Sequence, residues 1–146
     1  MSTITSLWAD EHLPIRDALY TAAGESYSVR IDPAKPGGIE IGEKFDLDTL
    51  LKADPDWLTT IDITRETELP GGTDWLCCGE GSYGSEGFFG RLDRAKNLIW
   101  VIYLQESNPF IGIEVTGRIA RFTSSSDISI SVDIDQPWLE LPRQQM

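Results

Sequence analysis

The run Leu98-Ile-Trp-Val-Ile-Tyr-Leu104 constrains this chain more than any other stretch. Successive side chains of a strand point to opposite faces, so a run without a polar position must be covered on both sides. It falls far short of the roughly 20 apolar residues that cross a bilayer as a helix. The run therefore predicts a central strand of a sheet, with helices packed on one side of it.

Four further β-prone runs surround it: Trp75–Cys78, Gly87–Leu92, Ile111–Phe122 and Ile128–Ile134. In the last, Ile128, Ile130, Val132 and Ile134 alternate with Ser129, Ser131 and Asp133, the pattern of a strand with one face buried. The links between the runs are short and rich in Gly, Ser, Asn and Pro. Strands at this spacing imply an antiparallel meander of about five strands.

The first half is more mixed. Leu7, Trp8, Leu13, Ile15, Leu19 and Tyr20 lie among Asp10, Glu11, Arg16 and Asp17 at spacings that partly fit an amphipathic helix. Pro14 interrupts it, which leaves a helix over 15–22 with Gly24 at its stop. Tyr27, Val29 and Ile31 alternate as a strand, Lys35-Pro-Gly-Gly38 marks a turn, and Ile39-Glu-Ile41 returns as the second arm of a hairpin. Phe45, Leu47, Leu50 and Leu51 recur at helical intervals, with Asp46 and Asp48 early, where they favour the positive end of the helix dipole. From Asp54-Pro55 to Thr73 the reading is one short strand or irregular stretch followed by a loop. The fold class expected is α+β, a single domain over 1–146: one twisted antiparallel sheet with one or two N-terminal helices on it.

Charge narrows the partners. The chain holds 24 Asp and Glu against 12 Lys and Arg, a net charge of −12. Residues 1–90 carry 17 acidic and 6 basic side chains, so nearly all the excess lies there. Such a chain repels nucleic acid and anionic lipid and attracts a basic protein by long-range steering. No basic stripe interleaves with Trp8, Trp57 or Trp100, as a nucleic-acid surface would need. Solubility alone also explains an acidic composition. The start has no basic segment leading into an apolar one, so no secretory signal is read there, and a cytoplasmic location is expected.

Cys77 and Cys78 are adjacent. In a strand they point apart, which prevents their joint ligation of one metal and suits a reducing compartment, where they serve as small buried hydrophobes beside Trp75.

Signs of catalysis are sparse. His12 is the single histidine, and no Gly-x-Ser-x-Gly elbow supplies a nucleophile. Glu80 and Glu86 could flank a groove as a hydrolytic carboxylate pair, although pairs arise easily among so many acids. Asp46-x-Asp48, Asp54-x-Asp56 and Asp133-x-Asp135 do not continue into a calcium-binding loop. We expect no enzyme, no cofactor and no metal. Gly79-Glu-Gly-Ser-Tyr-Gly-Ser-Glu-Gly87 has the glycines of a phosphate cradle but carries Glu80 and Glu86 in place of a cation, so it reads as a tight connection with glycines at positive φ. Its Ser82, Tyr83 and Ser85 can serve recognition. Trp57, which follows Asp54-Pro-Asp56, has the setting of an aromatic anchor for a basic protein.

The stretch Cys78-Gly-Glu-Gly-Ser-Tyr-Gly-Ser-Glu-Gly-Phe88, then Leu98–Leu104, then Glu106-Ser-Asn-Pro-Phe110, resembles bacterial immunity proteins of polymorphic toxins, including those of contact-dependent growth inhibition systems. It lacks the Leu-Pro pair before an aromatic helix and the Asn-Gly-Gly turn of one broad immunity superfamily. The resemblance implies a small cytosolic protein that neutralises a cognate toxin domain by covering its active site. It also implies that Glu40, Glu43, Asp46, Asp54 and Asp56 meet the Lys and Arg of a nuclease-like toxin, with Glu80, Tyr83 and Glu86 as a second contact. A secretion chaperone or adaptor that binds an extended segment is the alternative, with the carboxylate hydrolase behind it. Homodimerisation through an exposed sheet edge is compatible with either.

Overall fold

A computed structural model describes residues 2–142. Helix α1 spans Thr3–Ala9, followed by strands β1 (His12–Pro14), β2 (Ala18–Thr21), β3 (Ser26–Ile31) and β4 (Ile39–Lys44). Helix α2 covers Leu47–Ala53 and leads into β5 (Leu58–Glu68). The second half holds β6 (Trp75–Gly81), β7 (Gly87–Leu92), β8 (Leu98–Leu104), β9 (Phe110–Thr116), β10 (Ile119–Ser124) and β11 (Ser129–Asp133). Eight strands form one antiparallel sheet in the order β1-β5-β6-β7-β8-β2-β3-β4, and β11-β10-β9 form a second. Neither helix is long and apolar enough to cross a membrane among the described residues.

β8 lies between β7 and β2, as its two apolar faces require. Trp100, Ile102 and Leu104 face one core with Leu19, Leu76, Cys78 and Phe89, covered by Phe110, Ala120, Phe122, Ile130 and Val132 of the small sheet. Val101 and Tyr103 face the other, with Tyr20, Cys77 and Phe88, covered by Ile4 of α1 and Leu47 of α2. The helices thus share one side of the large sheet. Phe89 joins the sheets: it stacks on Phe122 at 4.2 Å between ring centroids and meets Phe110 edge-on at 4.9 Å. The indole N–H of Trp100 donates to the carbonyl of Ile134 at 3.0 Å, and Arg91 pairs with Asp74 and Asp135 at 2.7 Å each.

Several expectations need correction. The meander of the large sheet is β5-β6-β7-β8 and ends there, because the chain leaves that sheet after β8 to build the second one. Ile111–Phe122 is two strands, reversed at Gly117 with φ 60°. No helix forms over 15–22. Ala18, Leu19 and Tyr20 are fully buried in consecutive order, which a strand with two covered faces allows and an amphipathic surface helix does not. The helix lies earlier, at Thr3–Ala9, where the Ser2 side chain caps the Thr5 N–H. Gly24, at φ 100°, turns the chain between β2 and β3. The 54–73 stretch contains the longest strand, β5, whose exposed outer half carries polar side chains on both faces and so hides its period.

No glycine of the 79–87 segment has the positive φ expected of it; Gly79, Gly81 and Gly87 instead allow close approach. A Cβ on Gly79 would overlap the carbonyl oxygen of Asp62 and lie 2.8 Å from the Phe88 ring, whereas one on Gly84 would meet nothing within 4 Å. Gly79→Ala should therefore cost about 3 kcal/mol in urea denaturation, while Gly84→Ala should stay within about 0.5 kcal/mol of the parent.

Both cysteines are buried, on opposite faces of β6. Burial raises the Cys78 thiol to about 11 and the Cys77 thiol further. A neutral thiol is a poor nucleophile. Native protein at pH 8 should leave both unlabelled by a thiol reagent over the time in which urea-unfolded protein reacts fully.

Candidate functional site

The outer surface at the start of β5 gathers the most conspicuous exposed side chains. Asp46 caps α2, its Oδ1 accepting from the N–H groups of Asp48 (2.9 Å) and Thr49 (3.3 Å). Asp54 ends the helix, its N–H bonded to the Leu50 carbonyl at 3.0 Å. The loop that follows is tied down by Trp57 N–H to Asp54 carbonyl (3.1 Å) and Leu58 N–H to Asp56 carbonyl (2.8 Å). Trp57 stays 50% exposed although its carbonyl holds the Ile15 N–H at 3.0 Å. A large aromatic side chain on a fixed backbone beside two free carboxylates loses little entropy on contact.

Two residues along, β5 meets the β6–β7 loop. The buried Thr59 hydroxyl donates to Glu86 Oε1 at 2.9 Å and accepts the Ser82 N–H at 3.1 Å. Glu86 Oε1 also accepts the Tyr83 N–H at 3.0 Å, and Oε2 accepts the Tyr103 hydroxyl. A Cβ on Gly81 would occupy the place of this carboxylate, so the glycine makes room for it. With its backbone held in this way, the Tyr83 side chain is left 59% exposed. Trp57 and Tyr83 therefore flank one rigid Thr59–Ser82 junction.

The sequence-derived contact residues divide into groups. Asp46, Asp54, Asp56 and Trp57 lie together along α2 and the loop after it, and Tyr83 joins them across the junction. Glu40 and Glu43 stand apart on β4, at the edge of the sheet opposite β1. Glu40 is paired with Arg30 at 2.9 Å, so much of its charge is met within the chain. Glu86 is 2% exposed and acts as the acceptor at the centre of the loop, which removes it as a surface contact. Glu80 pairs with Gly87 in the ladder and, by alternation from Cys78, takes the face opposite the Glu86 carboxylate. The two glutamates share no groove and form no hydrolytic pair.

Sequence reasoning placed Glu86 outside because a glutamate in a Gly- and Ser-rich loop normally faces water. The donors it needs are scattered over the chain at Thr59, Tyr83 and Tyr103, and only folding collects them. Asp10 and Asp48, which no sequence spacing marks as contacts, extend the acidic surface. Together with Asp46, Asp54 and Asp56 they make no ion pair among the described residues. Arg16, nearby, is engaged with the Phe45 ring at 3.9 Å and with Ser28 at 2.9 Å. In the small sheet, by contrast, Arg118 and Arg121 both have carboxylate partners.

Removing the Glu86 carboxylate strands two buried hydroxyls and an N–H. Glu86→Ala should lower unfolding free energy by about 2–4 kcal/mol, and Glu86→Gln, which keeps an acceptor oxygen, by about 1 kcal/mol; matched urea titrations check both. Compared with known proteins, the chain matches no family model, no curated protein and no solved structure.

Proposed function

We propose that this protein is a binding partner of the immunity type, which neutralises a basic, nuclease-like toxin domain by covering its active site with the acidic surface around α2 and the start of β5. The observation that carries the reading is the pairing of two exposed aromatics, Trp57 and Tyr83, on one rigid junction next to Asp54 and Asp56. Aromatic anchors supply binding energy that charge alone does not, and uncompensated carboxylates steer a cationic partner onto them. The acids of the helix layer, without ion partners among the described residues, are free to meet external Lys and Arg. Resemblance of the 78–110 stretch to toxin immunity proteins gives the same direction.

Glu40 and Glu86 leave the contact set in this reading, the first for its Arg30 partner and the second for its burial. Asp46, Asp54, Asp56, Trp57 and Tyr83 remain, with Asp10 and Asp48 added. Glu43 and Glu80 lie elsewhere on the molecule.

Immobilised protein exposed to lysate of its source organism at low salt should retain a basic toxin domain that high salt releases. Retention of no protein would count against the reading. With the domain in hand, stopped-flow association should slow by roughly 10-fold or more in the Asp54→Lys, Asp56→Lys double variant and become less sensitive to salt. Trp57→Ala should mainly speed dissociation, at a cost of about 2 kcal/mol in affinity. Asp46→Asn keeps a helix cap, so any slowing it causes reports charge. Unchanged rates in all three variants would remove this surface from the interface.

A further inference from the structure

β5 is the longest strand, yet it is covered on its outer side only at its start. β1 pairs with Leu58–Thr60, and the Glu11 carbonyl takes the Ile61 N–H at 2.9 Å. Glu11 then turns away with φ 60°. Beyond it, Asp62–Glu68 has no backbone partner on that side among the described residues. The hydrogen-bond phase identifies the open groups. Ile61 faces outward, so Ile63 does too; the bulge between Ile63 and Arg65 shifts the phase, and Leu69 bonds inward to Asp74 at 2.8 Å. Glu66 and Glu68 therefore present the next outward groups. At about 3.3 Å per residue this open edge is roughly 20 Å long.

An open cleft of about 640 Å³ adjoins the same edge. Its walls include Trp8 of α1, Ile61 and Ile63 of β5, and Leu98 of β8. Ile63 is 40% exposed there, a large apolar residue with one side in water. The acids at the rim are Glu11 and Asp62, neither with an ion partner among the described residues. The rim's cation, Lys96, is held by Glu66 at 2.8 Å and lies over the Trp75 ring at 4.4 Å.

We propose that this edge is a peptide-binding site, at which an extended segment containing alternate apolar and Lys or Arg residues adds to β5 as a further strand and lodges an apolar side chain in the cleft. Backbone pairing gives such a complex its register, and the pocket and rim give it selectivity. Charge decides between this occupant and a second copy of the chain. Self-pairing would bring the acids of this edge, Asp62 and Glu68, of two copies along one seam, and like charges there are destabilising. A cationic segment meets those positions favourably. Charges and a bulge also guard edges against self-association, but guarding does not require an apolar cleft beneath the edge. The site is separate from the Trp57–Tyr83 surface and stands whether or not a toxin is the partner there.

The test uses the full chain, isotope-labelled, with an end-blocked nine-residue peptide alternating lysine and leucine. Hydrogen exchange at the amides of Ile63, Glu66 and Glu68 should slow by at least about tenfold on saturation, while amides facing β6 change little. The same peptide N-methylated along one edge should bind at least about tenfold more weakly, and a glutamate–leucine peptide should not bind. Ile63→Arg, at an exposed position, should weaken the lysine peptide to a similar extent with the exchange pattern of the fold intact. Protection elsewhere without protection of these three amides, or equal binding of the N-methylated peptide, would overturn the site. Because the N-methylated control leaves the protein unaltered, the result does not depend on how any variant folds.

Discussion

The double burial of β8 organises the molecule. A strand with Trp100, Ile102 and Leu104 on one face and Val101 and Tyr103 on the other cannot stand at a surface without exposing one set. At roughly 25 cal/mol per Å², leaving a large aromatic side chain in water costs several kcal/mol, so both faces must be covered. The helices cover one and β9–β11 the other. The small sheet is thus the cover for a face that the short helices do not reach, and Phe89, stacked on Phe122 and edge-on to Phe110, is the point at which the two sheets fit together.

Much of this was legible because periodicity survives wherever one environment persists along an element. β8, β11 and the β3–β4 hairpin all show it, and α2 carries both its apolar spacing and its acidic cap. The adjacent cysteines could be placed on opposite faces from the strand period alone. Reading failed where the environment changes within an element. Ala18–Tyr20 is too short to tell a doubly buried strand from a helical turn, and β5 passes from covered to open at Asp62, so its apolar alternation stops midway. Assignment of β9–β11 to a second sheet depends on a crossing that no local pattern encodes.

The candidate site shows the same division. Asp54, Asp56 and Trp57 are close in sequence and remain close and exposed, so composition found them. Glu86 looked equivalent and is the reverse: its carboxylate is turned inward to hold Thr59, Tyr83 and Tyr103, with space left by Gly81. Tyr83 is presented outward because Glu86 is not. A loop rich in glycine and serine becomes rigid here through one buried acceptor, which accounts for a composition that otherwise suggests flexibility.

Both surfaces on β5 follow from the shortness of β1. Glu11 adopts left-handed backbone, so the chain before His12 cannot continue along the strand, whereas on the other side Pro14 and the Ile15 N–H still follow Leu58 and Trp57. Where β1 does pair, it fixes Leu58–Thr60 and with them the Trp57 and Tyr83 platform. Where it stops, seven residues of edge are left beside an apolar cleft. Extending β1 toward the N-terminus would close that edge and add sheet hydrogen bonds, so the open arrangement forgoes stability that the fold could readily obtain. Forgone pairing next to apolar surface and unpaired acids is what the strand addition proposed here would use.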